Sequence, residues 1–221
     1  MLGSAKALYV SARDGMGRLM FESAGSANTA ERVHLDTLGL GAPDRISYTP
    51  SGWLALRRAL PRKSVTPDDV FIDYGSGKGR VVLQAARYPL KRVIGLEIAP
   101  ELNAAARANL ELERDRLSCQ DVELVTADVL DFELPDDVTI AYMYNPFRGE
   151  TFSAAIERLI ASVDRRPRRV RIVYVNPLEH DRLIATGRIE LVRKIRGLRP
   201  GARWSRTAST YLYEISPPRG G

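Results

Sequence analysis

The apolar residues of this chain fall into two alternating patterns. Short runs that are apolar throughout, such as Phe71-Ile72, Val93-Ile94-Gly95-Leu96 and Val170 to Val175, alternate with longer stretches whose apolar residues recur every three or four positions. The first pattern predicts strands buried on both faces and the second predicts helices with one apolar stripe. In chain order the expected elements are a strand ending at Asp73, a helix from Val81 stopped by Pro89, and a strand Arg92–Ile98. A helix Pro100–Leu117, strands Val122–Asp128 and Val138–Tyr144, and a helix Thr151–Val163 follow. The order closes with a strand Val170–Val175, a short helix Asp181–Ala185, and strands Ile189–Ile195 and Thr210–Ile215. Upstream, Thr49 as N-cap, Pro50 in the first turn and a Tyr48–Trp53 staple predict a helix that ends at Pro61.

Strand–helix alternation implies parallel strands with right-handed crossovers. No helical pattern separates the last two strands, so they should form an antiparallel hairpin at one edge. The expected fold class is therefore α/β, a Rossmann-like doubly wound seven-stranded sheet, mostly parallel. In such sheets ligands lie beyond the carboxyl ends of the strands, near the point where strand order reverses. Asp73, Glu97, Asp128 and Asn145 all fall at expected strand ends.

The joint between the first of these strands and its helix is Asp73-Tyr74-Gly75-Ser76-Gly77-Lys78-Gly79-Arg80. Glycine permits positive φ and leaves room for a ligand against the backbone, and the loop opens onto a helix N-terminus. A nicotinamide dinucleotide fingerprint would need a third glycine where Arg80 stands, which disfavours that cofactor. The spacing instead resembles motif I of the class I S-adenosylmethionine-dependent methyltransferases, and the resemblance covers about residues 66 to 216. It implies S-adenosyl-L-methionine as cofactor and a transferase activity. Asp73, Gly75, Gly77 and Gly79 correspond to the loop around the methionine part, Glu97 to the ribose-binding acid, and Asp128 with the backbone of Val129 to the adenine contacts. Asn145-Pro146-Phe147 corresponds to the motif after strand four, which implies Asn145 beside both cofactor and acceptor and Phe147 on the acceptor side. Amino methyltransferases of this kind carry Asn-Pro-Pro-aromatic, and this chain has one proline fewer. Tyr48-Thr49-Pro50-Ser51 resembles a Tyr-x-Pro-Ser/Thr segment that lies close to the cofactor in some protein lysine methyltransferases.

His180, after the fifth strand, is the expected base candidate, and Trp204, in the polar loop between the last two strands, an expected substrate contact. Residues 1–47 read as an N-terminal extension that folds over the domain as a lid, with residues 48–221 as the methyltransferase domain. His34 on that extension reads as structural or solvated rather than as a delivered base.

Composition changes this picture little. In 221 residues the hydrophobic fraction is 44% and the charged fraction 27%, ordinary for one globular domain. No run approaches the roughly 18 apolar residues of a membrane span, so a cytoplasmic protein without a membrane partner is expected, as monomer or homodimer. One cysteine, Cys119, and two histidines exclude a disulfide and disfavour structural zinc. The net charge of +6 leaves nucleic acid conceivable but not favoured, because the arginines are dispersed and the one dense run, Arg165 to Arg171, has no interleaved aromatics. A small-molecule or peptide acceptor with an N or O nucleophile is the preferred expectation. A protein lysine or RNA acceptor, or a non-catalytic cofactor-binding module, is the alternative.

Overall fold

The computed structural model describes residues 29, 33–197 and 209–217. The strands are β1 (Val70–Tyr74), β2 (Arg92–Glu97), β3 (Val122–Thr126), β4 (Ile140–Met143), β5 (Val170–Val175), β6 (Ile189–Ile195) and β7 (Thr210–Ile215). The α-helices are α1 (Ala55–Ala59), α2 (Arg80–Ala86), α3 (Pro100–Glu113), α4 (Gly149–Arg165) and α5 (His180–Ala185). All seven strands join one sheet in the order β3-β2-β1-β4-β5-β7-β6. The first five are mutually parallel, and β7 runs antiparallel to both of its neighbours, β5 and β6. The late antiparallel pair expected from the sequence is present, with the last strand inserted inside the sheet and β6 at the edge.

Successive residues of a strand face opposite sides, and the two apolar cores follow that alternation. Val70, Ile72 and Tyr74 of β1 pack with the Phe152, Ile156, Leu159 and Val163 stripe of α4, while Phe71 packs with Val82 and Ala86 of α2 and Leu56 of α1. Each such side chain, once buried, stabilises the fold by about 1.5–3 kcal/mol relative to exposure. Strand order reverses between β1 and β4, so the crevice at their carboxyl ends is the topological switch point.

One local expectation differs from the structure. The first helix begins at Ala55, and Thr49 makes no capping contact there; residues 49–52 are non-helical. Tertiary contacts claim the segment instead: the Tyr48 ring lies on Gly77, the Tyr142 hydroxyl donates to Ser51 Oγ at 2.9 Å, and Arg80 donates to the Ser51 carbonyl at 3.0 Å. Four of the five arginines in the dense run are engaged by the protein itself. Arg165 pairs with Asp136, Arg169 with Glu214 and Arg171 with Asp69, and Arg168 donates to the Val138 and Ser162 carbonyls.

The described part of residues 1–47 lies against the sheet and its helices. Leu35 packs on Ala99 and Leu102, Arg45 ion-pairs with Asp128 at 2.8 Å, and Ile46 N–H donates to the Pro146 carbonyl at 3.1 Å. Asp44 accepts hydrogen bonds from the Arg148 amide and the Thr151 hydroxyl.

Candidate active site

The cleft at the switch point is lined from β1 by Asp73 and the loop residues Gly75, Ser76 and Arg80, from the end of β2 by Glu97, and beyond β3 by Asp128 and Val129. Tyr142, Tyr144, Asn145 and Phe147 line it from β4, and Asn176 from the end of β5. Leu35, Arg45, Ile46 and Tyr48 of the preceding segment line its outer wall.

Gly75, Gly77 and Gly79 all have positive φ, at 73°, 55° and 79°. A Cβ at Gly75 would stand 2.6 Å from Pro146 Cβ, and one at Gly77 2.0 Å from the Tyr48 ring. The loop thus needs glycine because the chain itself presses on it, a tighter reason than the ligand approach expected from the sequence. Gly77 and Gly79 are not among the lining residues. Gly77 lies beneath Tyr48 and donates its N–H to Glu97 Oε2 at 2.8 Å, and Gly79 caps α2.

The carboxylates differ in their partners. Glu97 also accepts from Ala99 N at 3.0 Å, yet burial pushes its pKa up against those hydrogen bonds. Asp73 is buried, with its pKa raised well above the usual carboxylate range by burial and then by the negative charge of Glu97. Asp128 accepts from Leu130 N at 2.9 Å and pairs with Arg45. Two acids whose burial resists ionisation suit a cationic ligand, whose charge would favour the ionised forms. Arg80 is buried at the wall, donating to Thr29 Oγ1 at 2.7 Å and stacking over Trp53 at 4.7 Å. Sequence reasoning used Arg80 only to reject a dinucleotide; its position as first residue of α2 was the available signal.

Beyond β4, Asn145 is buried with φ 49° and accepts a hydrogen bond from Tyr174 Oη at 3.1 Å. Phe147 is mostly core, edge-on to Tyr74 with centroids 6.1 Å apart. His180, expected as a base, is not brought to the cleft. Its Nδ1 lies 2.8 Å from Tyr213 Oη and its ring packs edge-on to Tyr211, because α5 turns back toward β7. Trp204 lies outside the described residues. Cys119 is buried away from the cleft, and no group of metal-ligating side chains occurs among the described residues. No described helix is long and apolar enough to cross a membrane.

Sheet order and cleft together define a Rossmann-like domain with a seat for a cationic adenosyl ligand. The carboxylates Asp73, Glu97 and Asp128 share one cleft, an acceptor set whose chemistry suits a cationic ligand carrying hydroxyl and amine donors and so fits S-adenosylmethionine. The chain is similar to S-adenosylmethionine-dependent methyltransferases in part of its sequence and in its fold. Residues 55–137 match the family described as histone methylation protein DOT1. A protein-lysine N-methyltransferase of Saccharolobus islandicus is 36% identical over 67 residues, which are 30% of this chain and 42% of that protein. The chain thus spans less than half the length of that curated relative. Among solved structures, an RNA methyltransferase from Salinibacter ruber in complex with S-adenosyl-L-homocysteine superposes with a TM-score of 0.52 at 21% identity, covering 78% of this chain and 96% of that one. A precorrin 8w decarboxylase from Methanobacterium thermoautotrophicum gives 0.52 at 20% identity, covering 76% and 92%. Proteins named for activities this different share the fold, so the fold does not select the activity.

Proposed function

We propose that this protein transfers a methyl group from S-adenosylmethionine to the side-chain amine of lysine in a protein. The observation that carries the reading is the seating of Tyr48-Thr49-Pro50-Ser51 between the glycine loop and β4, with Tyr48 on Gly77 and Ser51 joined to both Tyr142 and Arg80. This is the segment with the lysine-methyltransferase resemblance, and the similarity to a protein-lysine N-methyltransferase supports the same acceptor. The acceptor is thus protein lysine rather than the small molecule preferred from the sequence. RNA gains no support from the basic run, whose ion pairs leave little charge for a phosphate backbone.

The bound cofactor supplies a methyl carbon already activated on a sulfonium, so the protein's contribution is positioning and exclusion of water. Glu97 and Asp128 hold the adenosyl part, Asp73 balances the ammonium of the methionine part, and Tyr48, Tyr142 and Tyr144 wall the cleft. As the amine nitrogen bonds the methyl carbon, the carbon–sulfur bond breaks with its electron pair going to sulfur, and the nitrogen then releases a proton. Lysine ammonium has a pKa of about 10.4, so the amine must be deprotonated first. Burial holds the Tyr48 and Tyr142 hydroxyls well above the usual phenol range, which leaves neither as a base near neutrality. Deprotonation therefore goes to solvent, and desolvation at the cleft favours the neutral amine.

The test is incubation with labelled S-adenosylmethionine and a heat-treated lysate split into protein, RNA and small-molecule fractions, followed by hydrolysis and chromatography. Label in methyl-lysine is expected. Label confined to nucleosides or small molecules overturns the lysine reading, and no calorimetric binding of S-adenosylmethionine or S-adenosylhomocysteine by the folded protein overturns the whole of it.

A further inference from the structure

Among the described residues only two non-glycine residues have positive φ, Asn145 at 49° and Asn176 at 54°. Both are followed by proline, Pro146 and Pro177, which disfavours helical-type backbone angles in the residue before it. They occupy equivalent places on neighbouring strands, each two residues beyond the paired positions Met143 and Tyr174. Both line the cleft. Strained backbone repeated at the ends of two adjacent strands points to side chains held for a purpose.

Three carbonyl-type acceptors meet at this end of the cleft, and they are not equally committed. Asn145 Oδ1 accepts from Tyr174 Oη at 3.1 Å, and the Pro146 carbonyl accepts from Ile46 N–H at 3.1 Å. The Glu179 amide donates to Tyr174 Oη at 3.3 Å, so the tyrosine proton is directed at Asn145 and turns the oxygen of that amide toward the core. Asn176 Oδ1, in contrast, is buried without any hydrogen-bond partner. A buried amide oxygen left unpaired is costly unless a ligand completes it.

We propose that Asn176 Oδ1 receives an N–H of the acceptor amine and aims the nitrogen lone pair at the methyl group. This rests on the amine-acceptor reading above. A neutral oxygen is suited to that role because it accepts from the amine while adding no negative charge that would hold the nitrogen as ammonium.

Asn176→Gly deletes the amide while keeping a residue at ease with positive φ, and Asn176→Asp keeps an acceptor oxygen but charges it. With S-adenosylmethionine and poly-L-lysine, Asn176→Gly should lower kcat/KM by about 10- to 100-fold, the effect of one hydrogen bond to a charge-developing group. S-adenosylhomocysteine affinity by calorimetry and Tm should stay near wild type. Asn176→Asp should retain methylation with its pH–rate profile displaced upward, because a carboxylate stabilises the ammonium. A glycine variant as active as an active wild type, or one that loses S-adenosylhomocysteine binding together with turnover, overturns the assignment. A wild type that binds S-adenosylhomocysteine but methylates no lysine in poly-L-lysine or lysate overturns the amine reading itself, and this assignment with it.

Discussion

At the carboxyl ends of β1, β2 and β3 the cleft presents the carboxylates Asp73, Glu97 and Asp128, whereas at the ends of β4 and β5 it presents the amides Asn145 and Asn176. The two halves share one sheet and one crevice, yet charge is segregated between them. On the proposed function, the physical reason lies in what each half would hold. A cationic methyl donor is stabilised by nearby negative charge. An amine nucleophile is disabled by it, because a carboxylate favours the protonated form. The halves also differ in backbone: Asp73 and Glu97 sit on regular strand backbone and Asp128 two residues beyond β3, while both amides sit at positive φ before proline.

The largest effect should come from breaking the acidic half. Glu97→Ala removes the acceptor for two ribose hydroxyls and the anchor of the Gly77 and Ala99 amides, and should weaken S-adenosylhomocysteine binding by about 100-fold, at about 1.5–3 kcal/mol per charged hydrogen bond. Unchanged calorimetric affinity would remove Glu97 from the site.

Next is the pH dependence of that half. Asp73 and Glu97 have folded pKa values raised above 3.8 and 4.5, so over the window above those values the empty protein binds more protons than the unfolded chain. Stability of the empty protein therefore falls as pH rises through that window. Binding of the cationic ligand should release protons, and its affinity should rise with pH by up to about tenfold per unit for one proton. Calorimetry in two buffers of different ionisation enthalpy reads the proton count, and a count of zero contradicts the coupling.

Tyr174→Phe perturbs the amide half alone. It removes the hydroxyl that donates to Asn145 Oδ1 and accepts from the Glu179 amide, without touching the acids, and should lower turnover by about tenfold while S-adenosylhomocysteine affinity holds, the size of a hydrogen bond of about 1–1.5 kcal/mol at Asn145. Equal losses in both measurements would mean that the halves are not separable. Smallest is Arg45→Ala, which unlatches the segment before the domain from Asp128. The pair is partly exposed, about 30% and 24%, so the change should be a few-fold faster release of S-adenosylhomocysteine in stopped flow.

Much of the acidic half was legible in the chain. An acid after an apolar run, three alternating glycines and a helix starting at once constrain a strand end and a tight loop by local rules alone, and β5, β6 and β7 occupy the residues their periodicity predicted. The amide half was less legible. Asn176-Pro177 repeats Asn145-Pro146 in plain sight, but the meaning of the repeat depends on β4 and β5 being neighbours with matched register. His180 was expected at the cleft because its position just past β5 suggested the same side of the sheet; the turn of α5 toward β7 gave its ring to Tyr211 and Tyr213. Thr49 and Pro50 carry the local marks of a helix start, and the contacts of Tyr48 and Ser51 with distant residues overrode them.

The amino-acid sequence by itself determined the alternation of strands and helices, the glycine loop and the placing of an acid or amide at each strand end, because these follow from periodicity and from backbone freedom within a few residues. Only the tertiary structure decided which of those polar groups meet, which are already partnered and which oxygen is left over. Those properties depend on strand order and on contacts between residues far apart in the chain, where no local pattern records the outcome.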